Sequence, residues 1–267
     1  MGKKLVIFGV LLLSAITASW SLSSRALDDH ESFVTIAARE MIQTGNWVLP
    51  TFNGLPRLQK TPLSYWLVAG ISEVSGTVNE FTGRLPSAVF AFLSAAAVLY
   101  FVNRWLGLRT AALAAAGWAT SIGYVYWSHS ARPEMSLVFF TTVCLLSFYT
   151  AATSEDSRSR TVFMLVFWVS FVLGNLAKGP APFVYVLLPV GLYIALRKDW
   201  RLIPKLLPIW GIIIFLVAVL PWPLAVAHKM DWNVVIWKKE FFDRLFGEYA
   251  AGHYPWHYYL GMVFKYV

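Results

Sequence analysis

Seven mainly apolar stretches, at roughly 4–22, 85–103, 110–127, 134–152, 162–177, 180–196 and 205–227, set the first constraint on this chain. A helix crossing the hydrocarbon core of a bilayer needs about 20 such residues. Charged residues make up only 13% of the 267, about half the usual share of roughly 25%, too few to cover the surface of a soluble globule. The expected fold is therefore an all-α polytopic membrane protein, a single transmembrane domain over 1–267 with about seven spans.

The first stretch follows Lys3-Lys4 and runs to Trp20 without a small-x-small cleavage site, so it reads as a retained signal anchor. An eighth span begins near Tyr258, and the sequence ends at Val267. Cys144, the one cysteine, lies inside an apolar block and excludes a disulfide framework. The net charge of +8 comes from basic residues that form no stripe, which argues against nucleic acid and for a topological signal. With the N-terminus inside, the inner segments carry ten cations against three acids, and the outer side carries twelve against eleven. The excess of cations in short inner loops places the chain in the cytoplasmic (inner) membrane with its N-terminus in the cytoplasm.

Two long segments, 23–84 and 228–257, then face outward. Ser32–Met41 reads as an amphipathic helix, because Phe33, Ile36, Ala37 and Met41 share a face. Thr61-Pro62-Leu63 opens a second helix through Val74, too short to span and so interfacial. Phe241–Tyr249 reads as a third.

Three groups on this outer side carry chemistry. Asp28-Asp29-His30-Glu31 places three carboxylates within four residues, which calls for a counter-cation, a metal or a proton. The plainer reading is a helix start, where aspartate caps and complements the dipole. Arg57 and Lys60 precede a helix N-terminus, an arrangement suited to phosphate, or else one that anchors the loop to lipid headgroups. Arg84, Arg132, Glu134 and Lys178 sit at span ends, where charges near hydrocarbon are costly and often functional. Snorkelling anchors and a local ion pair are the alternatives.

Ala38-Arg39-Glu40-Met41, Gly45-Asn46-Trp47, Pro50, Asn53-Gly54, Lys60, Pro62-Leu63, Tyr65-Trp66 and Arg84-Leu85-Pro86-Ser87 form an ordered series. It continues through Ala131-Arg132-Pro133-Glu134, Lys178-Gly179-Pro180, Pro221-Trp222, Glu240 to Gly247 and His253 to Tyr259. The series resembles the bacterial GT-C glycosyltransferases related to protein O-mannosyltransferases and to the aminoarabinose transferase that modifies lipid A. The resemblance implies inverting transfer of a sugar from a polyprenyl-phosphate carrier to an acceptor hydroxyl on a glycolipid, glycan or protein at the outer leaflet. It places the catalytic carboxylate among Asp29, Glu31 and Asp28, in that order, and the donor phosphate near Lys60, Arg57, Arg84 and Lys178. Tyr65, Arg132, Glu134, Glu240 and His253 are the supporting residues.

Two departures matter. The family's Asp-Glu pair falls here on His30-Glu31, and the metal-binding Glu and His of the aminoarabinose branch fall on Gln59 and Phe241. Neither glutamine nor phenylalanine is a good zinc ligand, so no zinc site is expected, and aminoarabinose is disfavoured as the donor sugar. The sequence identifies no cofactor with certainty, and a divalent cation at the Asp28–Glu31 cluster is one candidate. Relatives continue through further spans, so a partner chain supplying the remainder, a non-catalytic polyprenyl-phosphate-binding member and a transporter are the competing expectations.

Overall fold

A computed structural model describes residues 2–230, which are predominantly helical. Helix α1 (Gly2–Ser19) leads by way of an irregular linker to α2 (Asp29–Thr44), a two-residue hairpin (β1 Thr51–Phe52, β2 Leu55–Pro56) and α3 (Leu63–Ser75). Then come α4 (Glu80–Leu106), α5 (Leu108–Ala119), α6 (Ile122–Ser128), α7 (Glu134–Thr153) and α8 (Ser157–Lys178). A π-helical turn (Phe183–Leu187) runs into α9 (Leu188–Arg197), followed by α10 (Leu202–Lys205), α11 (Pro208–Val219) and α12 (Pro221–Lys229). The chain forms two compact units, Met1–Leu224 and Ala225–Val267. Of the second, residues 225–230 are described; the expected helix at Phe241–Tyr249, the eighth span, Glu240 and His253 lie outside the described residues.

Among the described residues five helices are long and apolar enough to cross a membrane: α1, α4, α7, α8 and the continuous run Pro208–Lys229. This is a multi-pass membrane protein. Two of the seven expected spans take another form. The stretch 110–127 breaks at Thr120–Ser121, where Ser121 adopts extended backbone and its hydroxyl accepts a hydrogen bond from Tyr124 N to start α6. The stretch 180–196 begins with the π turn just ahead of Pro189, whose missing N–H cannot complete the regular ladder. From Phe183 to Arg197 it is shorter than a full crossing.

Packing follows from residue size. The α7–α8 interface is built on Cys144, Phe148, Phe167 and Phe171, with Val186 of the π turn closing over them. On the outer side α2 and α3 bury Val34, Ala37, Ala38, Met41, Tyr65 and Val68 against each other. Of the face expected for α2, Ala37 and Met41 lie in this core while Phe33 and Ile36 are only half-buried, so the buried stripe is rotated from the expected one. The hairpin turns on Asn53-Gly54, both at positive φ (52° and 75°), the pattern of a type I′ turn.

Gly211 lets α11 lie against α8: a Cβ there would sit 1.9 Å from Cε2 of Trp168, whose indole N–H donates to Leu206 O at 2.7 Å. Gly211→Ala should therefore cost about 1–3 kcal/mol through overpacking. Gly117→Ala, where a Cβ meets nothing within 4 Å, should be neutral or stabilising. Thermal unfolding in detergent distinguishes the two, and equal melting temperatures would refute the close approach.

Candidate functional site

The first turn of α2 is organised by its own side chains. Asp28 caps the helix by accepting from Glu31 N at 2.8 Å, and Glu31 returns a hydrogen bond from Asp28 N at 3.0 Å. The plainer reading of the cluster, a helix start, describes Asp28, which is engaged in the cap. Glu31 is wholly buried and meets Arg84 of α4 in a bidentate pair, Nε to Oε1 at 2.8 Å and Nη2 to Oε2 at 2.9 Å. Ala131 N and Arg25 Nη2 also donate to it, at 2.9 and 3.3 Å. The other Arg84 hydrogens go to the carbonyls of Leu22, Arg25 and Ala26 at 2.7–3.1 Å. All five guanidinium donors are thus engaged.

This geometry corrects two expectations. Arg84 is 2% exposed and has no donor left for a phosphate. Glu31 is a poor base: burial raises its pKa, but the hydrogen bonds from Arg84 and from the amides of Asp28 and Ala131 outweigh burial and hold it at about 2. Both residues tie the α1–α2 linker, α2, α4 and the segment before α7 into one knot. Arg132 adds a second tie, Nη2 to Asp28 Oδ2 at 2.7 Å. Gly83 allows the close approach, since a Cβ there would meet Thr35 Cγ2 at 2.7 Å.

Among the described residues no three His, Cys, Asp or Glu side chains converge, and the oxygens of Asp28 and Glu31 already face N–H donors and guanidinium groups. Asp29 and His30 remain exposed on the outer surface of α2. The ring of His30 meets Phe33 edge-on at 5.9 Å, and Phe33 meets Phe52 at 5.0 Å. The Arg57 guanidinium lies 3.7 Å over Phe33, with Nε lacking a hydrogen-bond partner. Sequence reasoning gave Glu40 no role, yet it fixes this hairpin by accepting from Thr51 Oγ1 and from Gly54 N.

A second focus lies where α8 ends. Lys178 Nζ bonds Glu134 Oε1 at 2.9 Å, while Glu134 Oε2 is buried without a partner. Thr61 Oγ1 accepts from Gly179 N at 2.9 Å, which brings the loop of half-buried Lys60 beside Lys178. Tyr65 is fully buried in the α2–α3 core, away from solvent. Below the Lys178–Glu134 pair opens a groove of about 420 Å³. Its walls are Trp127, Tyr185 and a stripe of α7 that includes Leu137, Thr141 and Leu145, positions one helical turn apart. Thr141, Thr142, Trp127 and Tyr185 were missed from sequence because they fall inside apolar runs.

Arg84→Ala leaves the Glu31 charge buried and unpaired, and should destabilise the protein by about 3–5 kcal/mol; an unchanged melting temperature would contradict the knot. A carboxylate whose pKa falls from 4.5 unfolded to about 2 folded contributes its full stabilisation above about pH 4.5. That contribution, on the order of 3 kcal/mol, is lost as pH falls toward 2. In Glu31→Gln this component of the acid sensitivity of unfolding should disappear, and an unaltered profile would refute it.

A model of the dolichyl-phosphate-mannose-protein mannosyltransferase family matches residues 27–230. The chain is similar to undecaprenyl phosphate-alpha-4-amino-4-deoxy-L-arabinose arabinosyl transferases. With that of Pseudomonas savastanoi it shares 29% identity over 96% of this chain and 48% of the relative, and with that of Pseudomonas paraeruginosa 31% over 89% and 43%. Its fold is similar to the crystal structure of ArnT from Cupriavidus metallidurans bound to undecaprenyl phosphate. The TM-score is 0.76 at 24% identity, covering 91% of this chain and 44% of that one. The chain thus spans about half the length of the curated relatives it matches. With the matched segment holding the knot, the hairpin and the groove, the chain belongs to the dolichyl-phosphate-mannose-protein mannosyltransferase family.

Proposed function

We propose that this chain carries the donor-binding and catalytic loops of an inverting glycosyltransferase that uses a polyprenyl-phosphate-linked sugar, with its active face outside the inner membrane. The observation that carries the reading is the groove along α7 headed by Lys178, with the Lys60 loop tied beside it through Thr61–Gly179. A prenyl tail is apolar and suits the α7 stripe, and its phosphate suits the cations at the mouth. The names of the relatives, and the undecaprenyl phosphate in the Cupriavidus structure, support the same donor class.

In the reaction the bond between the anomeric carbon and the carrier phosphate breaks as an acceptor oxygen attacks from the opposite face. Negative charge then grows on the departing phosphate, where Lys178, Lys60 and Arg57 stabilise it. The acceptor hydroxyl gives up its proton to a carboxylate. Asp29 is the choice among the three, exposed and outside the capping box that holds Asp28 and Glu31.

Glu134 is the first residue of α7 and Lys178 the last of α8, so the pair sits at helix ends and gives no midplane site for a transporter. A binding-only member is the second reading, favoured by His30 at the position of the family's acidic residue. Transfer assays with radiolabelled undecaprenyl-phosphate sugars decide between them. Asp29→Asn should lower turnover roughly 10²–10⁴-fold with donor binding intact, and Lys178→Ala should weaken donor binding about 10–100-fold. Donor binding without turnover in the unaltered protein would favour the binding-only reading. Unchanged donor affinity in Lys178→Ala would reject the proposed phosphate position.

A further inference from the structure

We propose a second lipid site at the opposite end of the bundle, a headgroup site for an anionic glycerophospholipid formed by Arg160 and Lys205. Helix α7 has 20 residues and rises about 30 Å from the Glu134–Lys178 pair to this end, so the two sites are remote from each other and independent.

All four ion pairs among the described residues lie on the side of the α2 knot and the Lys178 groove. At the other end, none of the cations in the α4–α5, α7–α8 and α9–α11 connections is ion-paired among the described residues. The acids there are few. Asp156 is engaged as the cap of α8, accepting from Arg158 N and Ser159 N, and Glu155 and Asp199 are the other two. A concentration of uncompensated cations beside hydrocarbon attracts anionic lipid headgroups.

Local geometry selects one position. Arg160 and Lys205 line a single small crevice between α7, α8 and α10, whose remaining walls are Ala151, Ala152, Met164, Leu202 and Leu206. Arg160 is half-buried and anchored by Nη2 donating to Ser154 O at 2.7 Å, and Lys205 is exposed. The crevice admits only about 10 Å³, so a phosphodiester would sit over its mouth between the two cations, with no acid among the lining residues and with its acyl chains over neighbouring apolar surface. That surface exists: Trp200 is 61% exposed and Leu196 82%. An aromatic run from Trp105 through Tyr149 to Tyr193, with Arg197 over Tyr193, lies at the same end of α4 and α7, the composition of an interfacial belt.

The test is native mass spectrometry of the detergent-solubilised protein titrated with phosphatidylglycerol, with phosphatidylcholine as the neutral comparison. Phosphatidylglycerol should bind in preference. Arg160→Gln/Lys205→Gln should weaken that binding roughly 30-fold, each surface cation accounting for about a factor of five. Arg160→Lys/Lys205→Arg should retain it. Lys205→Gln alone, at an exposed side chain, should weaken it about fivefold and guards against misfolding of the double variant. Unchanged binding in Lys205→Gln and in the double variant overturns the site. Displacement of phosphatidylglycerol by inorganic phosphate at matched concentration overturns the lipid assignment in favour of a free-phosphate site.

Discussion

The buried pair between Glu31 and Arg84 is the constraint on which the outer half of this molecule rests. A carboxylate with no solvent contact must be compensated completely, and here two guanidinium hydrogen bonds, two backbone amides and Arg25 do so. The remaining Arg84 donors collect three carbonyls from the α1–α2 linker, a segment that has no regular structure of its own. One ion pair therefore sets where α2 begins, how α4 leaves the outer surface and where the Ala131 segment enters α7. Exchange of the pair for apolar residues of similar volume would not keep that arrangement, because five backbone groups would lose their partners.

What the knot positions is a surface with two kinds of cation. Arg57 is held flat on Phe33, with its charge available above the first turn of α2, while Lys178 is held by Glu134 at the top of an apolar groove. The bond between Thr61 and Gly179 joins these two regions, so a ligand with an apolar tail and a phosphate finds its parts in sequence. The second oxygen of Glu134, buried beside the mouth, lacks a hydrogen-bond partner.

Much of this was legible in the sequence, for reasons that differ from residue to residue. Apolar length alone located α1, α4, α7, α8 and the Pro208–Lys229 helix, whereas helical spacing found α2 but only half of its buried face, Ala37 and Met41, and missed Val34 and Ala38. The motif order pointed to the family. The roles of Glu31 and Arg84 were not legible: they are 53 residues apart, and Ala131 is 100 residues from Glu31. Charge and motif place such residues near a site without saying whether they face it or hold it together. The break in 110–127 escaped because Thr120-Ser121 is a small interruption in an otherwise apolar run, and a hydroxyl that caps a new helix is also tolerated inside an old one. The groove escaped because threonines at helical spacing within α7 read as part of a span.

The central claim is that the carrier lipid lies along α7 with its phosphate at Lys178. Undecaprenyl phosphate with a photoreactive group in its tail, activated in the membrane and mapped by peptide mass spectrometry, tests it most directly. The account predicts adducts on the α7 stripe at Leu137, Thr141 and Leu145 and on Tyr185, lost when excess unlabelled carrier is present. Adducts spread over the exposed faces of α1 and α11, and insensitive to that competition, would contradict it.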